Sequence, residues 1–148
     1  MKTARILAAA AALAFAAPTT ASAQSAWPID PASYVDVSMI TIDDGHSLEY
    51  ANHLAGMWRS SQDFAKSQGW ISDYQIWINE FPRDGEPDVY LVTWFPSFAS
   101  PEESKKRDAA YLAHAKATEE QLQAASGKRA EYRHLSGSML FRQYTWAK

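Results

Sequence analysis

The alternation of apolar and polar positions predicts four β-strands along the chain. Residues Tyr34 to Ile42 alternate and are rich in β-branched side chains, which is typical of a strand. Residues Asp73 to Phe81 and Asp88 to Phe95 form two more strands around a turn that contains Asp84-Gly85, a strong hairpin signal. Ser138 to Trp146 is the fourth predicted strand.

Two further segments carry apolar residues at helical spacing. The first runs from His46 to Ser67, where an apolar stripe follows one face. The second begins after Ser100, a suitable N-cap, and Glu103 stands where it would complete a capping box. We expect this second helix to continue to about Ala125, with Gly127 as its terminator.

The resulting order, βαββαβ, predicts an α+β fold of the ferredoxin-like type: a four-stranded antiparallel sheet with two helices on one face. If Arg83 to Glu86 form a four-residue turn with Pro82 opposite Pro87, one sheet face is aliphatic and lies under the helices. The other face is then aromatic and polar, and it carries Gln75, Trp77, Asn79, Tyr90, Val92 and Trp94. A monomer would expose these aromatic residues as a large apolar patch.

In element order, element lengths and this doubly apolar hairpin, residues Tyr34 to Trp146 resemble the dimeric α/β-barrel superfamily. That superfamily includes the antibiotic-biosynthesis-monooxygenase-like, stress-responsive barrel and NIPSNAP-like proteins. The resemblance implies a homodimer in which two bare sheets pack together and enclose a cavity. Members range from cofactor-free oxygenases to haem enzymes and proteins without known activity, so the resemblance assigns no activity to any residue here.

The first 23 residues have the pattern of a secretory signal peptide. Lys2 and Arg5 precede an Ala-rich apolar run, and Ala21-Ser22-Ala23 fits a cleavage site. We therefore expect a periplasmic or secreted protein with a signal peptide over 1–23, an extended arm over 24–33 and one ferredoxin-like domain over 34–148. No other segment approaches the roughly 20 apolar residues of a membrane span, so we expect no stable membrane insertion.

Composition limits the possible partners and chemistry. Removal of Lys2 and Arg5 with the leader changes the formal charge from −3 to −5, because it leaves 12 basic residues against 17 acidic ones. A chain of this charge with scattered basic residues is not expected to bind nucleic acid. The chain has no cysteine, which excludes disulfides and a thiol nucleophile. It also lacks a Gly-rich phosphate loop and the HExxH and CxxC motifs, so we expect no cofactor.

The mixture of aromatic and polar positions suggests a ligand site inside the expected barrel. Small-molecule sites commonly combine apolar walls with a few polar groups. We therefore predict binding of a small apolar or aromatic molecule, with the walls and polar groups supplied by Asp36, Ser38, Gln75, Trp77, Asn79, Tyr90, Trp94, Arg142 and Tyr144. An ion pair of Asp36 with Arg142 is one way to satisfy the two charges. A dimer that packs without a ligand is the first alternative.

A divalent metal site is the second alternative. His46, Glu49 and His53 stand at i, i+3 and i+7, so a helix would stack two imidazoles and a carboxylate in one narrow stripe. The same pattern is also expected for half-exposed polar residues beside an apolar stripe. His134 is a further candidate, as a general base at the mouth of the cavity beside Tyr132 and Arg133, and packing within a turn is the alternative interpretation of this residue. His114 is expected on the surface.

Overall fold

The computed structural model describes residues 27 to 147, and the predicted signal peptide lies outside this range. Four strands and three helical segments make up the fold. The first helical segment, residues 47–67, consists of two α-helices that a single π-helical turn, Leu54–Trp58, joins without a break. The elements are β1 (Ile29–Ile42), α1 (Ser47–His53), α2 (Arg59–Ser67), β2 (Asp73–Ile78), β3 (Val89–Phe95), α3 (Pro101–Ala115), α4 (Glu119–Arg129) and β4 (Arg133–Trp146).

The four strands form one antiparallel sheet in the order β2-β3-β1-β4. The first helical segment connects β1 to β2, and α3 and α4 connect β3 to β4. The α+β class is therefore confirmed, and the order is consistent with a ferredoxin-like arrangement. Residues 29–33, expected as an extended arm, are extended and belong to β1, where Ile29 pairs with Trp146.

The first helical segment packs on one face of the sheet, around a small hydrophobic core. Ile40 and Val89 from the central strands contact Tyr50 and Leu54 from the first helical segment and Tyr132 from the link between α4 and β4. All five side chains are buried. We call this side of the sheet the helix face and the opposite side the open face.

The first predicted helix is confirmed in its extent, but its middle turn is π-helical. Residues 54–58 make this wider turn between α1 and α2. Leu54 is buried in the turn, and the ring of Trp58 packs edge-on against Tyr74 at a centroid distance of 5.3 Å. Single π-helical turns within α-helices are often found at functional sites.

The second predicted helix is wrong in its length, because the structure divides it into α3 and α4. The N-cap prediction is confirmed, since Ser100 accepts a hydrogen bond from the Glu103 backbone at 3.2 Å. The helix then ends at Lys116, which adopts a left-handed conformation with φ of 51°. Thr118 starts α4 and forms the capping box with Gln121.

Two further details of the second helix prediction are wrong. The carboxylate of Glu103 binds Arg107 Nε at 3.0 Å and does not complete a capping box at Ser100. Gly127 lies inside α4 and does not terminate a helix.

The β2–β3 hairpin has the predicted faces but a different register. Trp77 lies opposite Tyr90, whereas a four-residue turn would place it opposite Val92. The strands separate earlier than predicted, after Ile78, and the backbone N–H of Asn79 donates to the Asp88 carbonyl at 2.8 Å. Because the register shift is two residues, every side chain within β2 and β3 stays on its predicted face.

Candidate functional site

The helices in residues 27–147 lie on the helix side of the sheet: the first helical segment packs on the core, α3 bonds to it through Tyr111 and Ser61 at 3.0 Å, and α4 shares a cleft with both. The open face lies on the other side of the sheet. Its central strand pair is β1 with β3, and β4 and β2 lie at the two edges. Residues on this face alternate with those of the core. They are Val35, Val37, Met39, Gln75, Trp77, Tyr90, Val92, Trp94, Gly137, Met139 and Phe141.

The centre of the open face is aromatic. The indoles of Trp77 and Trp94 meet edge to face at a centroid distance of 6.3 Å. The Trp77 indole N–H donates to Gln75 Oε1 at 2.8 Å, so the one polar atom of the Trp77 side chain is satisfied within the face. Val92 at the base is 0% exposed, whereas Trp77 is 48% exposed and Phe141 49%. The face therefore has a closed apolar floor and large accessible aromatic side chains above it.

Asn79 does not join this cluster, although it was predicted there. Its amide N–H donates to the Pro87 carbonyl at 3.2 Å, and its side-chain oxygen accepts from the Phe81 backbone N–H at 3.3 Å. Glu86 Oε2 is a further acceptor at 3.5 Å. Asn79 therefore stabilises the β2–β3 loop beside the open face.

Asp36 and Ser38 lie on the helix face, away from the aromatic cluster. Asp36 is opposite Thr93 and Ser38 is opposite Leu91, a residue that packs against the core. Ser38 Oγ lies 3.5 Å from Asp36 Oδ2 and donates to it. The predicted site residues are therefore divided between the two faces, because β1 aligns its odd-numbered positions with Trp94 and Val92.

Arg142 and Tyr144 also lie away from the aromatic cluster. Arg142 is opposite Tyr34 in the sheet, and its guanidinium carbon lies 4.0 Å from the centroid of the Tyr34 ring. This is a cation–π contact, which replaces the suggested ion pair with Asp36. Tyr144 is opposite Pro31, beyond a shift in the β1–β4 register, and is half exposed.

Two residues of the suggested metal site contact each other, and the third, His53, makes a separate contact. His46 Nδ1 lies 3.0 Å from Glu49 Oε2, and the His46 ring stacks on Tyr132. The His53 ring stacks on Tyr50 instead. Within residues 27–147, no three His, Cys, Asp or Glu side chains are grouped so as to hold a metal ion. The geometry adds no support to the metal hypothesis.

The other histidines have specific partners. His134 Nε2 lies 3.0 Å from Asp43 Oδ1, and both side chains are about half exposed. His114 stacks on Phe64 at a centroid distance of 4.2 Å and bonds Ser60 at 3.2 Å. The His134–Asp43 pair joins the start of β4 to the end of β1.

Two arginines influence His53 and Tyr50: Arg129, which the sequence did not distinguish, and Arg133, which was expected beside His134 at the cavity mouth. Arg129 ends α4 and Arg133 begins β4, and both act on His53 and Tyr50. Burial, with Arg129 and Arg133, lowers the pKa of His53 to about 4. Burial raises the pKa of Tyr50, and the two arginines oppose that change. Basic residues in the last turn of a helix are common because they complement the helix dipole, so no sequence signal distinguished Arg129.

No family model, curated protein or solved structure matches this chain. No helix in residues 27–147 is both long and apolar enough to span a membrane.

Proposed function

We propose that this protein is an exported homodimer of the dimeric α/β-barrel type, in which two open faces meet and enclose a small apolar or aromatic molecule. The observation that carries the proposal is the open face itself, with Trp77 and Phe141 each about half exposed above a buried floor. The sheet order and the position of the helices on one side support the ferredoxin-like subunit that such a barrel requires.

The dimer part of the proposal follows from the apolar surface. Met139 and Phe141 on β4 extend the aromatic cluster of β2 and β3 across the sheet, because both lie opposite open-face residues of β1. Contiguous apolar patches above a few hundred Å² are rare on monomers. Burial stabilises by about 25 cal/mol per Å² before the cost of association, and stable interfaces bury roughly 800 Å² per partner.

The ligand part follows from the shape and chemistry of the cluster. Flat side chains such as Trp77 and Trp94 stack favourably on other aromatic groups. Gln75 already satisfies the Trp77 indole, so the face has few free polar groups and favours an apolar or aromatic ligand over a strongly charged one. Binding is the proposed function, and a cofactor-free reaction in the enclosed cavity would be an extension of it. A dimer that packs without a ligand is the competing outcome.

The dimer is tested by light scattering at micromolar concentration. Phe141→Asp places a charge on the open face and should give a monomer. Phe81→Asp is the matched control, since Phe81 is 89% exposed in the β2–β3 loop, and it should stay dimeric. A monomeric wild type would contradict the proposal.

The ligand is tested with a panel of aromatic and polycyclic compounds, measured by tryptophan fluorescence and thermal shift. A bound compound should lose most of its affinity in Trp94→Leu, a variant that keeps an apolar side chain on the face. If no compound shifts the melting temperature of the dimeric wild type, the protein is a packing dimer and the ligand proposal is wrong.

A further inference from the structure

A cleft on the helix side of the molecule has the chemistry of a second binding site. It lies between the segment 47–67 and helices α3 and α4, and its volume is about 440 Å³. Small-molecule sites occupy about 300–1,000 Å³, so the size suits a compact ligand. Met57, Trp58, Trp70 and Tyr111 supply apolar and aromatic walls, and Arg129 lies at the wall formed by α4.

Arg129 and the neighbouring Arg133 have unmet hydrogen-bonding capacity. The Nε atoms of both are buried and have no hydrogen-bond partner among the described residues. Neither guanidinium takes part in the ion pairs formed within residues 27–147. Buried donors are nearly always bonded in folded proteins, so two such donors without partners are unusual.

The other charged residues at the cleft do not pair with Arg129. Arg107 also lines the cleft, but its Nε is bonded to Glu103 at 3.0 Å and its guanidinium lies over the Trp70 ring. Asp108 is exposed and forms no ion pair with Arg129 within 4.0 Å. Asp108 also lines the cleft, and Arg129 stands beside the apolar walls without an ion-pair partner within residues 27–147.

The geometry points to a binding site for a small organic carboxylate, held by Arg129, with its apolar body against Trp58 and Trp70. An arginine guanidinium binds a carboxylate through two parallel hydrogen bonds. The buried Nε is closed to a ligand in the cleft, so the terminal Nη atoms of Arg129, which form no ion pair within residues 27–147, would be the donors. Inorganic phosphate also carries negative charge, but it has no apolar part to fill the aromatic walls. A neutral amide of the same shape would contact the aromatic walls but lacks the negative charge.

This site is separate from the proposed barrel. The cleft is on the helix side, whereas the barrel would form on the open face. The monomeric variant Phe141→Asp should therefore bind a carboxylate as the wild type does. This result distinguishes failure of the dimer from failure of the cleft.

Benzoate and hexanoate are the probes, with benzamide and inorganic phosphate as comparisons, and binding is measured by isothermal titration calorimetry. Both carboxylates should bind at least about tenfold more tightly than either comparison compound, which corresponds to about 1.4 kcal/mol. Arg129→Met should lower carboxylate affinity by about tenfold or more. Lys128→Met removes the same charge from the adjacent exposed residue and should change affinity by less than about twofold.

NMR of the wild-type protein locates the site without a variant. Benzoate should shift the indole N–H signals of Trp58 and Trp70 and leave that of Trp77 unchanged. The inference is overturned if neither carboxylate binds with a Kd below about 10 mM, if benzamide binds as tightly as benzoate, or if Arg129→Met folds and binds benzoate as the wild type does. Binding of phosphate alone would show an adventitious ion only, and it would also overturn the assignment.

Discussion

Trp77 lies directly opposite Tyr90 in the sheet, with the two side chains on the open face. This pairing sets the position of the whole aromatic cluster, because it also places Gln75 opposite Val92 and Asp73 opposite Trp94. The ladder ends at Ile78, four residues before Pro82, and the prolines that flank the turn cannot donate hydrogen bonds that would extend it. The loop from 79 to 88 is thus longer than a tight turn.

The register can be checked by disulfide formation, since the chain has no cysteine of its own. Trp77→Cys combined with Tyr90→Cys should cross-link within one chain on mild oxidation, because directly opposite residues lie within the Cα separation of about 4.4–6.8 Å that a disulfide needs. Trp77→Cys with Val92→Cys should cross-link much less. Mass spectrometry of the oxidised proteins measures both, and efficient cross-linking only in the second pair would contradict the register.

Truncation of the core residue Leu54 should be strongly destabilising. Leu54 is 6% exposed at the start of the π-helical turn, and Leu54→Ala should cost about 2–5 kcal/mol of unfolding free energy. Leu48, in the same helix, is 74% exposed, and Leu48→Ala should cost less than about 0.5 kcal/mol. Urea denaturation followed by circular dichroism gives both values. Equal losses in the two variants would mean that the helix does not pack as described.

The capping box at Thr118 should contribute measurably to stability. Thr118 Oγ1 accepts from the Gln121 backbone N–H at 3.3 Å, and Gln121 Oε1 accepts from the Thr118 N–H at 2.9 Å. Thr118→Ala should lower the free energy of unfolding by about 1 kcal/mol, and Thr118→Ser should preserve most of it. If α3 and α4 were one continuous helix, the alanine variant would be neutral or stabilising.

His53 should make the protein less stable in mild acid. Its folded-state pKa of about 4 is below its ordinary value of 6.5, so its contribution is fully present above pH 6.5 and is lost as the pH falls toward 4. The half-buried position reduces the effect to about 1 kcal/mol. Thermal melts between pH 7 and pH 4 should show a smaller loss in His53→Gln than in the wild type. Parallel losses in both proteins would exclude His53 as the cause.

The sequence carried enough information for the elements and for the faces of the β2–β3 hairpin. Ile76 and Trp77 must point to opposite sides whatever the loop length, and a register shift of two residues preserves that. The division of the second helix had a local signal as well. Thr118 and Gln121 fit a capping box, but Thr118 also fits the apolar spacing of the preceding turns, so periodicity concealed the break.

The placement of Asp36, Ser38 and Arg142 required information that no local pattern contains. Alternation along β1 shows that Asp36 and Val37 face opposite ways, but only the pairing of Val35 with Trp94 decides which of them shares the aromatic face. The position of Arg142 depends on pairing with the distant Tyr34. The effect of Arg129 and Arg133 on the pKa of His53 likewise depends on tertiary packing, because the three residues belong to different elements.

The long pairing of β1 with β4 has a consequence for how the chain folds. Its ladder joins Ile29 to Trp146 and Ile42 to Arg133, so its closest sequence separation is already large. Proteins dominated by such distant contacts fold slowly, because the loop must close before the contacts form. Until the last strand arrives, β1 is an unprotected sheet edge that another chain can pair with. A chain truncated before Arg133 should consequently aggregate rather than persist as a three-stranded monomer.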